Sequence, residues 1–292
     1  MAAFLQRRRG LLPYALLAPG LAWLLLFFAV PLYYMARISL ETGSIDLGYR
    51  FTWHFQTYTD ALSNYDTQFV RSFVYAGAAT LIAFLIGYPL AYAIAFRGGK
   101  WKNALLFLVI VPFFVTYLIR TLSWETILAD DGLVVNTLQS VGLIGDNGRV
   151  LATTGAVIAG ITYNFLPFMI LPLYASLERI DQTLVEAAND LYGRRRDVIR
   201  RVVIPLSMPG IVAGVLLTFI PAAGDFINAQ LLGTPQQAMI GNVIQSRYLV
   251  ISDYPTAAAL SFILMLLILV LLLFYARFVG TEALTGAEEK PA

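Results

Sequence analysis

Apolar residues run along this chain in six long blocks, separated by short polar stretches. The blocks cover about Leu11–Ile38, Phe69–Phe96, Ala104–Leu128, Leu151–Leu177, Pro205–Leu217 with the residues that follow, and Thr256–Phe278. A helix needs roughly 20 apolar residues to cross about 30 Å of hydrocarbon. Barrel strands would instead alternate polar and apolar over about ten residues. The pattern predicts an all-α, polytopic membrane protein with six transmembrane helices. The fifth block is the most interrupted, by Pro221, Gly224, Asp225 and Asn228. No loop is long enough to fold alone, so residues 1–292 read as one transmembrane domain.

Composition agrees with this reading. Hydrophobic residues make up 59% of the 292 and charged residues only 13%, against about 25% in soluble domains. Lys and Arg are segregated. Fourteen of the twenty lie on the side that holds both termini in a six-span topology: Arg7–Arg9, the turn Arg97–Lys102, the stretch Arg179–Arg201, Arg277 and Lys290. The remainder, including Arg37, Arg71 and Arg120 near span ends, lie opposite. The positive-inside rule then predicts cytoplasmic termini. The first block is too long for a signal peptide and lacks a small-x-small cleavage site, so it reads as an uncleaved span. With no cysteine, disulfides and thiolate metal sites are excluded.

The opposite-side segment Glu41–Gln68 is polar and aromatic. It reads as an interfacial aromatic belt or as a docking surface for an extracytoplasmic partner. His54, the single histidine, reads as surface. Ala129–Arg149 carries the turn signals Asp130-Asp131-Gly132 and Gly145–Gly148. The turn Arg97–Lys100 lacks the spacing of a phosphate loop, with Ile94 where a glycine would be needed. Gly210 and Gly214, four apart, permit close helix approach.

The longest charged loop, about residues 178–205, carries EAANDLYGRRRDVIRRVVIP from Glu186 to Pro205. Asp181 is placed to cap a helix over Thr183–Leu191. Leu184, Ala187, Ala188 and Leu191 form one narrow apolar stripe on it. Glu186 and Asp190 flank that flat face, which suits a groove on another protein. An amphipathic helix on anionic lipid is the competing reading, but it leaves the acidic half unexplained. Gly193 turns the chain into a basic second segment.

This segment resembles the EAA loop of ABC-importer permeases. Glu186, Ala187 and Ala188 match the motif, and Val202, Ile204 and Pro205 stand at its ending. The family glycine falls on Tyr192, with Gly193 one residue later. Within the superfamily the chain is most similar to permeases of the spermidine/putrescine type. Leu166–Met169, Pro172–Tyr174, Ile204–Ile211 and Ile240–Ile244 carry that likeness.

The resemblance implies a type I importer permease whose coupling helix docks into a cytoplasmic ABC ATPase dimer through Glu186, Ala187, Ala188, Asp190, Leu191 and Gly193. It implies a second, homologous permease subunit and an extracytoplasmic substrate-binding protein. ATP and Mg would sit on the ATPase, and this chain would bind no cofactor itself. Membrane lipid is its surroundings, and nothing points to nucleic acid. The function implied is transport of a small cation, a polyamine such as spermidine or putrescine, and not enzyme catalysis.

Opines, amino-acid derivatives and thiamine are alternative cargoes. A passive channel is a less favoured class, because it would not need a docking loop. An intramembrane enzyme is a third class, for which the sequence shows no cysteine, one loop histidine and neither paired intramembrane carboxylates nor metal-ligand spacing. For a cationic cargo, Asp225 with Asn228 is a candidate on the pathway, because an ionisable residue at membrane depth is a functional candidate. Trp124 and Glu125 are a second candidate pair, since aromatic faces hold ammonium groups. Gly233–Asn242 reads as an outer re-entrant or gate loop.

Overall fold

The computed structural model describes residues 12–145, 148–192 and 194–279. The expectations for Gly193, Arg7–Arg9 and Lys290 fall outside them. Helices dominate: α1 (Leu12–Leu24), α2 (Val30–Ile38), α3 (Gln56–Arg97), α4 (Lys102–Ile110), α5 (Tyr117–Leu128), α6 (Leu133–Ser140) and α7 (Thr154–Glu178). They continue with α8 (Gln182–Tyr192), α9 (Arg195–Val198), α10 (Ile204–Leu206), α11 (Met208–Ala223), α12 (Ile227–Leu232), α13 (Ile240–Gln245) and α14 (Tyr254–Val279). Four stretches among the described residues are long and apolar enough to cross a membrane: Leu16–Ile38, Gln56–Arg97, Thr154–Glu178 and Tyr254–Phe274. Two helix pairs pass the same test together but are bent, by 93° between Gly99–Phe114 and Tyr117–Ser140 and by 68° between Arg195–Leu206 and Met208–Ala223. Counting each pair as one gives six.

The third apolar run is broken just after the proline inside it. Pro112 sits in a 3-10 turn over Val111–Phe114, and Val115 and Thr116 are extended before α5 begins. Proline removes a donor and crowds the preceding turn, so the helix stops there.

Contacts divide the chain into two units, residues 1–64 with 244–263, and residues 65–243 with 264–292. In the first, the segment expected as loop forms a two-stranded hairpin, β1 (Glu41–Ser44) with β2 (Gly48–Phe51), paired Glu41 to Phe51. Gly43 has φ +135, and a Cβ there would lie 2.1 Å from the Gly48 carbonyl oxygen, so glycine is required at the crossing. Tyr49 donates its hydroxyl to the Ser252 carbonyl, and its ring lies 5.5 Å from that of Tyr254. His54 Nδ1 lies 3.0 Å from Thr57 Oγ1 at the start of α3. The rest of the expected loop, from Gln56 onward, is helical up to a kink at Tyr65 (φ −127).

In the second unit, α11 lies along α7 because glycines face it. A Cβ on Gly210 would stand 2.4 Å from Ser176 Cβ and 2.6 Å from the Pro172 carbonyl oxygen. A Cβ on Gly214 would stand 2.9 Å from Met169 Sδ. The close approach expected from the glycine spacing is thus realised. Gly210→Ala should destabilise the bundle by about 1–3 kcal/mol, because backbone atoms cannot step aside as a side chain can. Its yield of monodisperse complex and its thermal midpoint in detergent check this; an unchanged midpoint contradicts it.

Two apolar clusters form the core. One gathers Tyr75, Val157, Ile161, Phe165, Leu232 and Met239. The other gathers Met169, Leu173, Leu177, Ala188, Val198 and Val203. Each joins an element near one of the two sites below. In the segment expected as a second outer loop, α6 forms and Asp130 pairs with Arg149 at 2.6 Å.

Candidate functional site

Two broken helices meet at one polar cluster. The span that ends as α11 stops at Ala223, and Gly224–Phe226 links it to α12. The third span resumes at Tyr117. Tyr117 donates its hydroxyl to Asp225 Oδ2. Asn228 Nδ2 donates to the same oxygen at 2.5 Å and lies 2.5 Å from the Tyr117 hydroxyl. The backbone N–H of Asn228 donates to Asp225 Oδ1 at 3.1 Å, so the carboxylate also closes the first turn of α12. Asn164 of α7 extends the cluster, donating to Asn228 Oδ1 at 3.2 Å and to Thr121 Oγ1 at 3.1 Å. Asp225 is 6% exposed, and Asn228, Asn164 and Thr121 are buried. A buried carboxylate needs such donors, because desolvating it unpaired is costly.

The segment Gly233–Asn242 braces the break. A Cβ on Gly241 would lie 2.5 Å from the Gly224 carbonyl oxygen and 3.0 Å from that of Asp225. Asn242 Nδ2 donates to the Phe226 carbonyl at 2.8 Å. Arg71 donates to the Ala238 carbonyl at 2.7 Å, and Ser72 accepts from the Ile240 N–H at 2.8 Å. Thr234 and Gln237 cap the short turn Pro235–Gln237.

Of the four candidate pathway residues, Asp225 and Asn228 come together here. Trp124 packs against the first apolar cluster with its ring 5.4 Å from Tyr163. Among the described residues, neither Trp124 nor Glu125 hydrogen-bonds to the Asp225 cluster. Tyr117, Thr121 and Asn164 were not singled out from the sequence. Arg120 is also misplaced by a span-end reading: it is 7% exposed, one turn into α5. The break at Val115–Thr116 is the reason, since it makes this arginine part of a new helix's first turn.

The second candidate site is α8. Asp181 accepts the Thr183 N–H at 2.9 Å, as the capping position predicts. That bond holds the Asp181 carboxyl below its usual pKa range. The helix uses its apolar residues differently from the single stripe expected. Ala188, 7% exposed, turns inward with Val185 against the second apolar cluster. Leu184, Ala187 and Leu191 stay exposed, Leu191 at 76%, beside exposed Glu186 and Asp190. The reason is that the helix needs only one narrow line of contact, and Val198 and Val203 of the basic segment supply its other wall. Arg194–Arg196, Arg200 and Arg201 are exposed. Tyr88 and Ser207, 3.0 Å apart through their hydroxyls, tie this loop's end to α3.

Apolar helices of membrane-spanning length, two bent helix pairs, a buried carboxylate where they meet and an exposed amphipathic loop helix are the features of a multi-pass membrane protein. The family described as binding-protein-dependent transport system inner membrane component matches residues 83–280. The chain belongs to that family. It is 38% identical over 257 residues to the spermidine/putrescine transport system permease protein PotB of Haemophilus influenzae, covering 88% of this chain and 90% of that protein. In fold it is similar to a bacterial ABC transporter that imports the acidic polysaccharide alginate, with TM-score 0.68, 21% identity and 96% and 98% of the two chains covered. The alginate transporter in complex with its pentasaccharide-bound periplasmic protein gives TM-score 0.64 at 22% identity, over 96% of this chain and 98% of that one. The chain is accordingly a transport subunit with the fold of importer permeases.

Proposed function

We propose that this chain lines the translocation pathway of an ATP-driven importer for a small organic cation, with spermidine and putrescine as first candidates. The observation that carries the proposal is the Asp225 carboxylate, held by Tyr117 and Asn228 where two half-helices end. Discontinuous helices in transporters bind cargo at such breaks, where irregular backbone lines a cavity. A carboxylate there lowers the barrier for a cation. The kinship to a spermidine/putrescine permease supports the same cargo class.

In this reading the exposed face of α8, with Glu186, Ala187, Asp190 and Leu191, docks into a cytoplasmic ABC ATPase dimer, which holds ATP and Mg. Ala188 seats the helix from within, and Gly193 lies just beyond it. Closure of the ATPase pair pulls α8, and α8 moves α7 and α11 through the apolar cluster it shares with Leu173, Leu177 and Val203. A second, homologous permease subunit completes the pathway, and an extracytoplasmic binding protein delivers the cargo. Both termini and the α8 loop face the cytoplasm, following the segregation of Lys and Arg.

The deciding experiment is ATP hydrolysis by the reconstituted complex, with and without binding protein and polyamine. Stimulation that requires both is the expected result. Stimulation by another solute alone would replace the cargo and keep the mechanism. Failure to assemble with any ATPase would sink the coupling role of α8.

A further inference from the structure

Arg120 is a buried cation with no carboxylate in ion-pair range among the described residues. It is 7% exposed, and its Nε and Nη1 have no hydrogen-bond partner among the described residues. Asp225 does not take it, since Tyr117 and Asn228 already occupy that carboxylate. The guanidinium carbon instead lies 5.4 Å from the Phe113 ring centroid and 5.7 Å from that of Tyr117. Phe113 packs on Phe168 at 5.1 Å, Phe168 on Phe165 at 6.1 Å, and Phe165 on Tyr117 at 6.0 Å. Four rings thus form an open circuit, and the guanidinium closes it.

Aromatic faces offset part of the cost of a desolvated cation through their quadrupoles, without directional acceptors. They do so for alkylated ammonium groups as well as for guanidinium. Phe168 is 37% exposed, so the circuit has an open side in this chain. The Tyr117 hydroxyl leads from the rings directly to Asp225.

We propose that the cage of Phe113, Tyr117, Phe165 and Phe168 is a site for an organic ammonium ion, and that Arg120 is its built-in occupant, displaced by the transported cation. This rests on the reading of the cargo as an organic cation. Self-occupancy keeps the cage shut to stray cations until cargo is delivered at high local concentration. The Tyr117 hydroxyl then places the entering ammonium next to the Asp225 carboxylate.

The test uses the assembled complex in lipid nanodiscs, titrated calorimetrically with tetramethylammonium and separately with spermidine. Arg120→Gln should bind tetramethylammonium about tenfold more tightly than the wild type, as a vacated and desolvated cage predicts. Arg120→Lys, which refills the cage, should show no gain. Phe113→Leu added to Arg120→Gln should remove the gain. An assembled Arg120→Gln complex without the gain overturns the proposal.

A second measurement needs no variant. Saturating tetramethylammonium should expel the guanidinium in the wild-type complex and raise phenylglyoxal modification at Arg120, read on its peptide. Unchanged modification overturns the proposal as well. The two readings fail separately. A tetramethylammonium gain with a complex indifferent to spermidine upholds the cage and removes the polyamine cargo. Spermidine-stimulated hydrolysis with no gain in Arg120→Gln does the reverse.

Discussion

Asp225→Asn lowers uptake of the transported cation by about 10–100-fold, while the complex still assembles. A hydrogen bond to a charged group is worth about 1.5–3 kcal/mol, and a barrier change of that size gives roughly this factor. Asparagine keeps the volume and one acceptor oxygen, so the Asn228 N–H stays satisfied and α12 keeps its first turn. What disappears is the negative charge between Tyr117 and Asn228. Proteoliposome uptake, together with size-exclusion of the complex, separates the cases. Normal uptake would reduce Asp225 to a helix cap. Loss of assembly would make the cluster structural.

Glu186→Arg leaves ATP hydrolysis running and lowers uptake by about a hundredfold, the scale expected when a charge is reversed within a docked interface. Glu186 is exposed and contributes nothing to the apolar cluster that Ala188 and Val185 join. The substitution therefore leaves the seat of α8 in the bundle intact and changes only the surface offered to a partner. The ratio of cargo moved to ATP hydrolysed is the quantity to follow. Near-normal coupling in this variant would defeat the docking role of α8.

The helix α8 was legible because its signals are local. Asp181 precedes a run with 3.6-residue periodicity, and the observed helix, Gln182–Tyr192, follows from that cap and stripe. Which apolar residues would face inward was not legible. Ala187 and Ala188 are adjacent and chemically identical, and only the positions of Val198, Val203 and Leu177 select Ala188. The hairpin at Glu41–Phe51 was also missed. Its strands are four residues each; the first is polar throughout, and the alternation of Tyr49 and Phe51 in the second is too short to stand out from the aromatic segment around it.

The sequence by itself determined that this is a many-spanning helical membrane protein, where its charged loop lies, and which motif that loop carries. Hydrophobic length, charge asymmetry and capping act over a few to a few tens of residues, so they survive in a linear reading. Only the tertiary structure decided the site. Tyr117 meets Asp225 across 108 positions of chain, and Asn164 meets Asn228 across 64. Two helix breaks, each caused locally by proline or glycine, had to coincide in space. Buried polar groups must find partners wherever packing brings them, and that constraint selected this tyrosine and this asparagine.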